Sequence, residues 1–253
     1  MSELPSPHPV IFAGAGPGAA AHLTMGVYQA LQAADVVIHD RLVGPEILAL
    51  IPAHATRLDV GKEGFGPSTS QAEINAALVT AALSGAKVVR LKGGDCGIFG
   101  RLDEEIEALE AAALPFCILP GLTSATVAAA SIGQSLTRRG RNASLRLLTG
   151  HDMAGFAEQD WRGLARMREV AAIYMAKKSA RFIQGRLLMH GADPETAITL
   201  IENVSRQDER VLPCTLATLP QTVAELGGPV VILYGLSPRK AKAAQSPIKE
   251  ARA

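Results

Sequence analysis

The 253-residue chain carries 25 Lys and Arg against 24 Asp and Glu, a formal net charge of +1, with 48% hydrophobic and only 4% aromatic residues. That hydrophobic share excludes a disordered chain and suffices for one large core or two small ones. The even charge and few rings speak against a nucleic-acid binder, which shows a basic excess and stacking aromatics.

Residues 1–8 read as a loose tail with two prolines. Short apolar runs follow, VIFAG at 10–14, DVVIH at 35–39, KVVRL at 87–91 and FCIL at 116–119, which read as buried strands. Helical patterns lie between them near 23–33, 71–84 and 102–113. Ser70 stands three residues before Glu73, the spacing of a capping box. Strands alternating with helices predict parallel strands with helical crossovers. A second α/β run has strands LRLLT at 145–149, VAAIYM at 170–175, TAITLI at 196–201 and VVILYG at 230–235. A helix near 179–190 stops at Gly191. The polar stretch 133–144 reads as a linker, which predicts an N-terminal α/β domain over 9–135 and a C-terminal one over 144–238, with a second loose tail at 240–253. Cys96, Cys117 and Cys214 are far apart and form no C-x-x-C pair, so neither a disulfide framework nor a metal site is expected. No signal peptide and no run of ~18 apolar residues is legible, so the expectation is a soluble cytoplasmic protein without a membrane or nucleic-acid partner.

Four segments can carry chemistry. GAGPGA at 14–19 follows a strand and fits a dinucleotide fingerprint, with Asp40 about twenty residues on at a ribose-binding position. Pro17 lacks the amide such a loop uses on phosphate, so another ligand, or a plain turn, stands beside that reading. LKGGDCGIFGR at 91–101 also follows a strand. Gly93 and Gly94 admit close backbone approach and Asp95 supplies one charge, which suits a cationic, phosphate-free ligand such as S-adenosylmethionine (SAM); the plain alternative makes Asp95 a helix cap. In PGLTSA at 120–125, Thr123 and Ser124 either meet a ligand or cap the next helix. Arg41, Arg101, Arg138, Arg139 and Arg141 lie at strand-end loops, where guanidinium forks can hold carboxylates or merely face solvent. Asp40 and Lys62, also at strand ends, can exchange a proton with a ligand.

Taken in order, VIFAGAGPG, ADVVIHDRLV, VGK with QAEIN, VVRLKGGD, IFGR with EE, PGLTSA, TGH and YMAKK resemble the uroporphyrinogen-III C-methyltransferases, relatives of the precorrin methyltransferases, over roughly 9–237. The resemblance implies two α/β domains with a SAM-binding cleft between them, usually in a homodimer. It implies SAM contacts at Pro17, Gly93, Gly94, Asp95, Ile98, Thr123, Ser124, Met175 and Val204. It also implies Asp40 and Lys62 as proton acceptor and donor, with Arg101 and Glu104 catalytic or substrate-contacting. Arg41, Arg101 and Arg139 are the candidates for the substrate's carboxylates. The implied reaction takes uroporphyrinogen III to precorrin-2 in two methylations for sirohaem or cobalamin, releasing S-adenosylhomocysteine, with no metal. The chain departs from the family at Ala19, Glu63, Cys96-Gly97, Ala176 and Val204. Rival readings are a methyltransferase of a later precorrin, a non-catalytic SAM or tetrapyrrole binder, and an NAD-dependent oxidoreductase built on GAGPGA.

Overall fold

The structure, a computed structural model, describes residues 8–61, 69–153 and 155–240. Its contacts divide the chain into two units between Thr123 and Ser124. In the first unit β1 (Val10–Gly14), α1 (Met25–Gln32), β2 (Val36–His39), α2 (Pro45–Leu48), β3 (Thr56–Asp59), α3 (Gln71–Leu83), β4 (Val88–Lys92), α4 (Leu102–Ala111) and β5 (Phe116–Leu119) follow in chain order. The five strands form one parallel sheet ordered β3-β2-β4-β1-β5. Alternation along each strand divides its side chains between two faces. Ala13, Val37, Val89 and Leu91 pack with Val27 and Leu31 of α1 and Ile47 of α2. Val10, Phe12, Ile38 and Val88 pack with Leu78 of α3 and Leu109 of α4. Both faces are therefore covered, which explains the unbroken apolar runs of β1 and β2. The expected capping box is present: Glu73 N donates to Ser70 Oγ at 3.2 Å and Ser70 N donates to Glu73 Oε2 at 2.6 Å. The sequence reading did not contain β3, an exposed edge strand, or α2, a single turn.

The second unit holds α5 (Ser124–Ser131), β6 (Arg146–Thr149), β7 (His151–Asp152), β8 (Gly155–Phe156), α6 (Trp161–Leu164), β9 (Ala171–Tyr174), α7 (Ala180–Met189), β10 (Ala197–Glu202), β11 (Arg210–Thr215), α8 (Leu219–Ala224) and β12 (Val230–Tyr234). Its main sheet runs β11-β10-β12-β9-β6. Here the strands are mixed: β6 and β9 pair in parallel, while β10 runs antiparallel to both β11 and β12. The loop from Asn203 to Glu209 is too short for a parallel crossover of a dozen or more residues, so β11 must return alongside β10. Pro213 marks β11 as an edge strand, where its missing amide costs no ladder bond.

The boundary lies earlier than the 133–144 linker read from the sequence. The small residues Ala125, Ala128 and Ala129 of α5 pack on Ala172, Ile201, Val231 and Leu233 of the second sheet, so α5 belongs to that core rather than to a domain over 9–135. Of the two expected tails, residues 1–7 and 241–253 lie outside the described residues.

Candidate functional site

All five strands of the first sheet end at one edge. β1 connects towards β2 on one side, whereas β4 connects across β1 to β5 on the other. The order reverses between these neighbours, and a parallel sheet opens a ligand crevice at such a point. The loops that meet there are GAGPGA, GGDCGIF and PGLTSA. They pack backbone on backbone: a Cβ on Gly14 would lie 2.5 Å from Gly121 N and 2.9 Å from Gly94 O. Ala15 N donates to Lys92 O at 2.8 Å, and Gly16 and Gly94 exchange amide bonds of 3.0 and 2.8 Å. The amides of Ala15 and Gly16 are thus spent on the protein, and Pro17 has none. A single 3-10 turn, Ala20–His22, follows the glycine loop, with Ala20 N donating to Glu46 Oε2 at 3.1 Å, and α1 starts only at Met25, capped by Thr24. With those amides occupied and no α-helix N-terminus directly behind them, the loop lacks the arrangement by which a dinucleotide fingerprint holds pyrophosphate. Gly94 (φ +73°) has no atom within 4 Å of a Cβ built on it, so the backbone is bare on that side.

Asp95 does not cap a helix, since the N-cap of α4 is Arg101. Its carboxylate joins two loops instead. Oδ1 accepts from Gly97 N at 2.9 Å and Oδ2 accepts from Gly121 N at 2.9 Å. Ile98 N donates to Asp95 O at 3.3 Å, closing the turn. Tyr174 Oη accepts from the first-turn amide of α5, Ala125 N, at 3.0 Å. Pro17 is buried beside these loops, and Gly93 backs onto Leu42 of the loop after β2, where a Cβ would sit 2.9 Å from the leucine's own.

Asp40 ends β2 at the same edge, with its side chain 31% exposed. Arg90 Nη2 donates to Asp40 Oδ1 at 2.6 Å. Arg90 is buried, and its Nε and Nη2 donate to Glu105 at 2.9 and 3.0 Å. Lys92 Nζ donates to the same carboxylate at 2.5 Å, and Gln71 Nε2 lies 3.5 Å from it. Burial pushes the Glu105 carboxyl up, but the hydrogen bonds and charges of Arg90 and Lys92 outweigh it, and the net shift is downward. Burial and the neighbouring Arg90 lower the Lys92 ammonium, which Glu105 and Asp40 offset in part. Arg90 moves up, because Asp40 and Glu105 together exceed the cost of its burial. Arg90, Lys92, Glu105 and Gln71 lie in the motifs VVRLKGGD, EE and QAEIN, but none was given a role from the sequence. The available signal was two cations at alternate positions of an otherwise apolar strand, VVRLK, which must share one covered face and find a buried anion there.

Arg101, in the left-handed region at φ 55°, and Glu104 pair with each other at the exposed start of α4, with bonds of 2.7 and 2.5 Å. Arg41 is exposed in the loop after β2, packed against Gly61. Lys62 lies outside the described residues.

In the second unit β6, β9 and β10 point the same way, so Thr149, Tyr174 and Glu202 end at one edge. Met175 (φ 51°, 51% exposed) and Asn203 (φ 51°) turn the chain there. The Val204 side chain is buried in the core cluster that α5 shares with the second sheet. Arg139 lies in another part of this unit. α5 carries the chain from the Tyr174 end of the sheet to the opposite edge, where Gln134 Nε2 donates to Ser237 O at 2.8 Å and Arg168 Nη1 to Gly140 O at 3.3 Å. Arg139 therefore sits at the far edge, in an open hollow formed by residues 137–143, away from Met175 and Val204. Eight helical residues span ~12 Å, which is what separates the two edges.

The comparisons agree with this architecture. A model of the Tetrapyrrole (Corrin/Porphyrin) Methylases matches residues 9–220. Siroheme synthase of Edwardsiella ictaluri is 43% identical over 226 residues, 89% of this chain and 49% of that protein. Siroheme synthase of an Escherichia coli O139:H28 strain is 41% identical over the same shares. The chain spans about half the length of these relatives. A solved uroporphyrin-III C-methyl transferase of Thermus thermophilus, complexed with S-adenyl homocysteine, is 32% identical, covers 90% of this chain and 97% of its own, and superposes with a TM-score of 0.78. A cobalt precorrin-4 methyltransferase shares the fold at 22% identity and a TM-score of 0.80, covering 90% and 94% of the two chains. With the family model matching residues 9–220, most of its length, and a solved relative 32% identical over nine-tenths of this chain, the chain belongs to the tetrapyrrole (corrin/porphyrin) methylase family.

Proposed function

We propose that the chain is a SAM-dependent C-methyltransferase that converts uroporphyrinogen III to precorrin-2 by two methylations, feeding sirohaem or cobalamin synthesis. The observation that carries this reading is the strand-end crevice of the first unit. Its backbone is bare at Gly94, the Ala15 and Gly16 amides are taken by Lys92 and Gly94, and Asp40 is held at its rim by Arg90. A ligand with an ammonium, ribose hydroxyls and no phosphate suits such a lining.

Pro17, Gly93, Gly94, Asp95, Ile98, Thr123, Ser124, Met175 and Val204 would hold SAM, which when bound supplies an electrophilic methyl. The chain's own work is to align a tetrapyrrole carbon with that methyl, a contribution of roughly 7–11 kcal/mol. Asp40 then takes the pyrrole proton, with Lys62 as donor, and Arg101, Arg41 and Glu104 meet the substrate's polar arms. The Arg101–Glu104 pair is exposed and bidentate, so a carboxylate arm can replace Glu104 in the guanidinium fork. The chain acts as a cytoplasmic homodimer; its free Cys96, Cys117 and Cys214 suit a reducing compartment. Among the described residues no helix is long and apolar enough to cross a membrane.

The test is incubation with SAM and enzymatically made uroporphyrinogen III, reading S-adenosylhomocysteine and tetrapyrrole mass. The expected product is heavier by two methyl groups, and SAM but not NAD gives heat on titration. NAD binding without SAM binding would overturn the reading, and sedimentation of the purified chain checks the dimer.

A further inference from the structure

Glu105 of α4 is 1% exposed, lies against the face of β4 that α3 and α4 cover, and reaches Asp40 through Arg90. Its two oxygens grip Arg90 at Nε and Nη2, and a guanidinium held on two nitrogens by one carboxylate has a single orientation. Arg90 Nη1 lies 3.3 Å from Leu91 O and 3.5 Å from Ile38 O, so every nitrogen of the fork has an acceptor. Nη2 also donates to Asp40 Oδ1 at 2.6 Å. The charges make a closed set. Arg90 and Lys92 are two buried cations, Glu105 is one buried anion, and the half-exposed carboxylate of Asp40 completes the balance. Burying these charges carries a desolvation cost that their pairing offsets only in part, so the cluster is weak evidence of stabilisation.

We propose that Glu105 is a positioning residue: through Arg90 it fixes the Asp40 carboxylate at the crevice rim without itself touching either ligand. This rests on the reading of Asp40 as proton acceptor in the methyl transfer. Neutralising Glu105 leaves Arg90 with a weaker partner and lets its fork turn away from Asp40. Shortening Glu105 by one methylene keeps the charge but not the simultaneous reach to Arg90 and Lys92.

The experiment uses the full chain with SAM and uroporphyrinogen III, comparing wild type, Glu105→Asp and Glu105→Gln. The expected order of kcat is wild type, then Asp, then Gln, with Gln slower by ten- to a hundredfold, the scale that ~1 Å of misplacement produces. KM for the tetrapyrrole and SAM affinity should stay within about twofold, a split that general loosening of the fold would not give. A crystal structure of Glu105→Gln should show Arg90 Nη2 beyond hydrogen-bonding distance of Asp40. Should that variant not fold, Glu105→Asp carries the same kinetic test. An undiminished kcat in both variants, or a loss in which KM and SAM affinity worsen by the same factor, overturns the inference. A wild-type chain that transfers no methyl overturns the proposed function instead, and the Arg90–Asp40 separation in the variant structure then decides alone whether Glu105 positions Asp40.

Discussion

Asp95→Ala separates a structural carboxylate from a ligand-binding one. In the structure Asp95 is the tie between the loop after β4 and the loop after β5, through Gly97 N and Gly121 N at 2.9 Å each. A hydrogen bond to a charged acceptor contributes ~1.5–3 kcal/mol, and the exposed, local bond to Gly97 stands at the low end of the ~0.5–1.5 kcal/mol range for ordinary bonds. The pair together amounts to about 2–4 kcal/mol, more than the ~1 kcal/mol a lost helix cap would cost. For a unit of this size that is a drop in melting temperature of roughly 10 °C. SAM affinity should fall as well, because the backbone around Gly94 loses its restraint, and Asp95→Asn should lie between, keeping one acceptor. Thermal melts beside calorimetric titrations supply both numbers. If the melt stays within a degree of wild type while SAM affinity collapses, the carboxylate serves the ligand alone and the loop tie is idle.

Gly121→Ala places a Cβ 2.6 Å from Gly14 O and closer still to Gly94 O, so it should cost ~1–3 kcal/mol or more by overpacking and weaken SAM binding, which urea unfolding and calorimetry would register together. Glu105 has its folded pKa below the unfolded value, so its contribution is present above pH ~4.3 and is lost as pH falls through the folded value; the urea-midpoint gap between wild type and Glu105→Gln should therefore close below pH ~4.3. Arg90→Met, by leaving Glu105 with Lys92 alone, should cost ~3–5 kcal/mol in chemical unfolding. Arg101→Ala should raise the tetrapyrrole KM while costing under ~1 kcal/mol of stability, as exposed pairs do. Arg139→Ala, at the far edge of its sheet, should leave steady-state kinetics unchanged; a raised KM there would show that this edge also meets the substrate.

Much of the fold was legible because it is written locally. VIFAG and VVIH are apolar runs of strand length between turn signals, and alternation with helices dictates a parallel sheet covered on both faces; FCIL also forms a strand, but at the edge of the sheet, where Cys117 and Ile118 are exposed rather than buried as the run suggested. The capping box needs only Ser70 and Glu73. The elements that escaped were those whose patterns are weak: β3 is exposed throughout, and β11 carries a proline that only an edge position tolerates. The glycine loops could be placed at strand ends, but their chemistry could not be read, since it depends on whether their amides face a ligand or one another.

The sequence by itself determined the parallel first sheet, the edge at which its loops gather, and the family those loops resemble. Only the tertiary structure decided what each charged group does there. Asp95 binds an amide 26 residues away, and Asp40 an arginine 50 residues away. It also gave α5 to the second core and sent Arg139 to the far edge. The physical reason is range. Hydrophobic periodicity and capping act over a few bonds and survive in the one-dimensional string. The partner of an ion or a bare amide is whichever strand end the fold brings within ~3 Å, and that distance exists only once the sheet has formed.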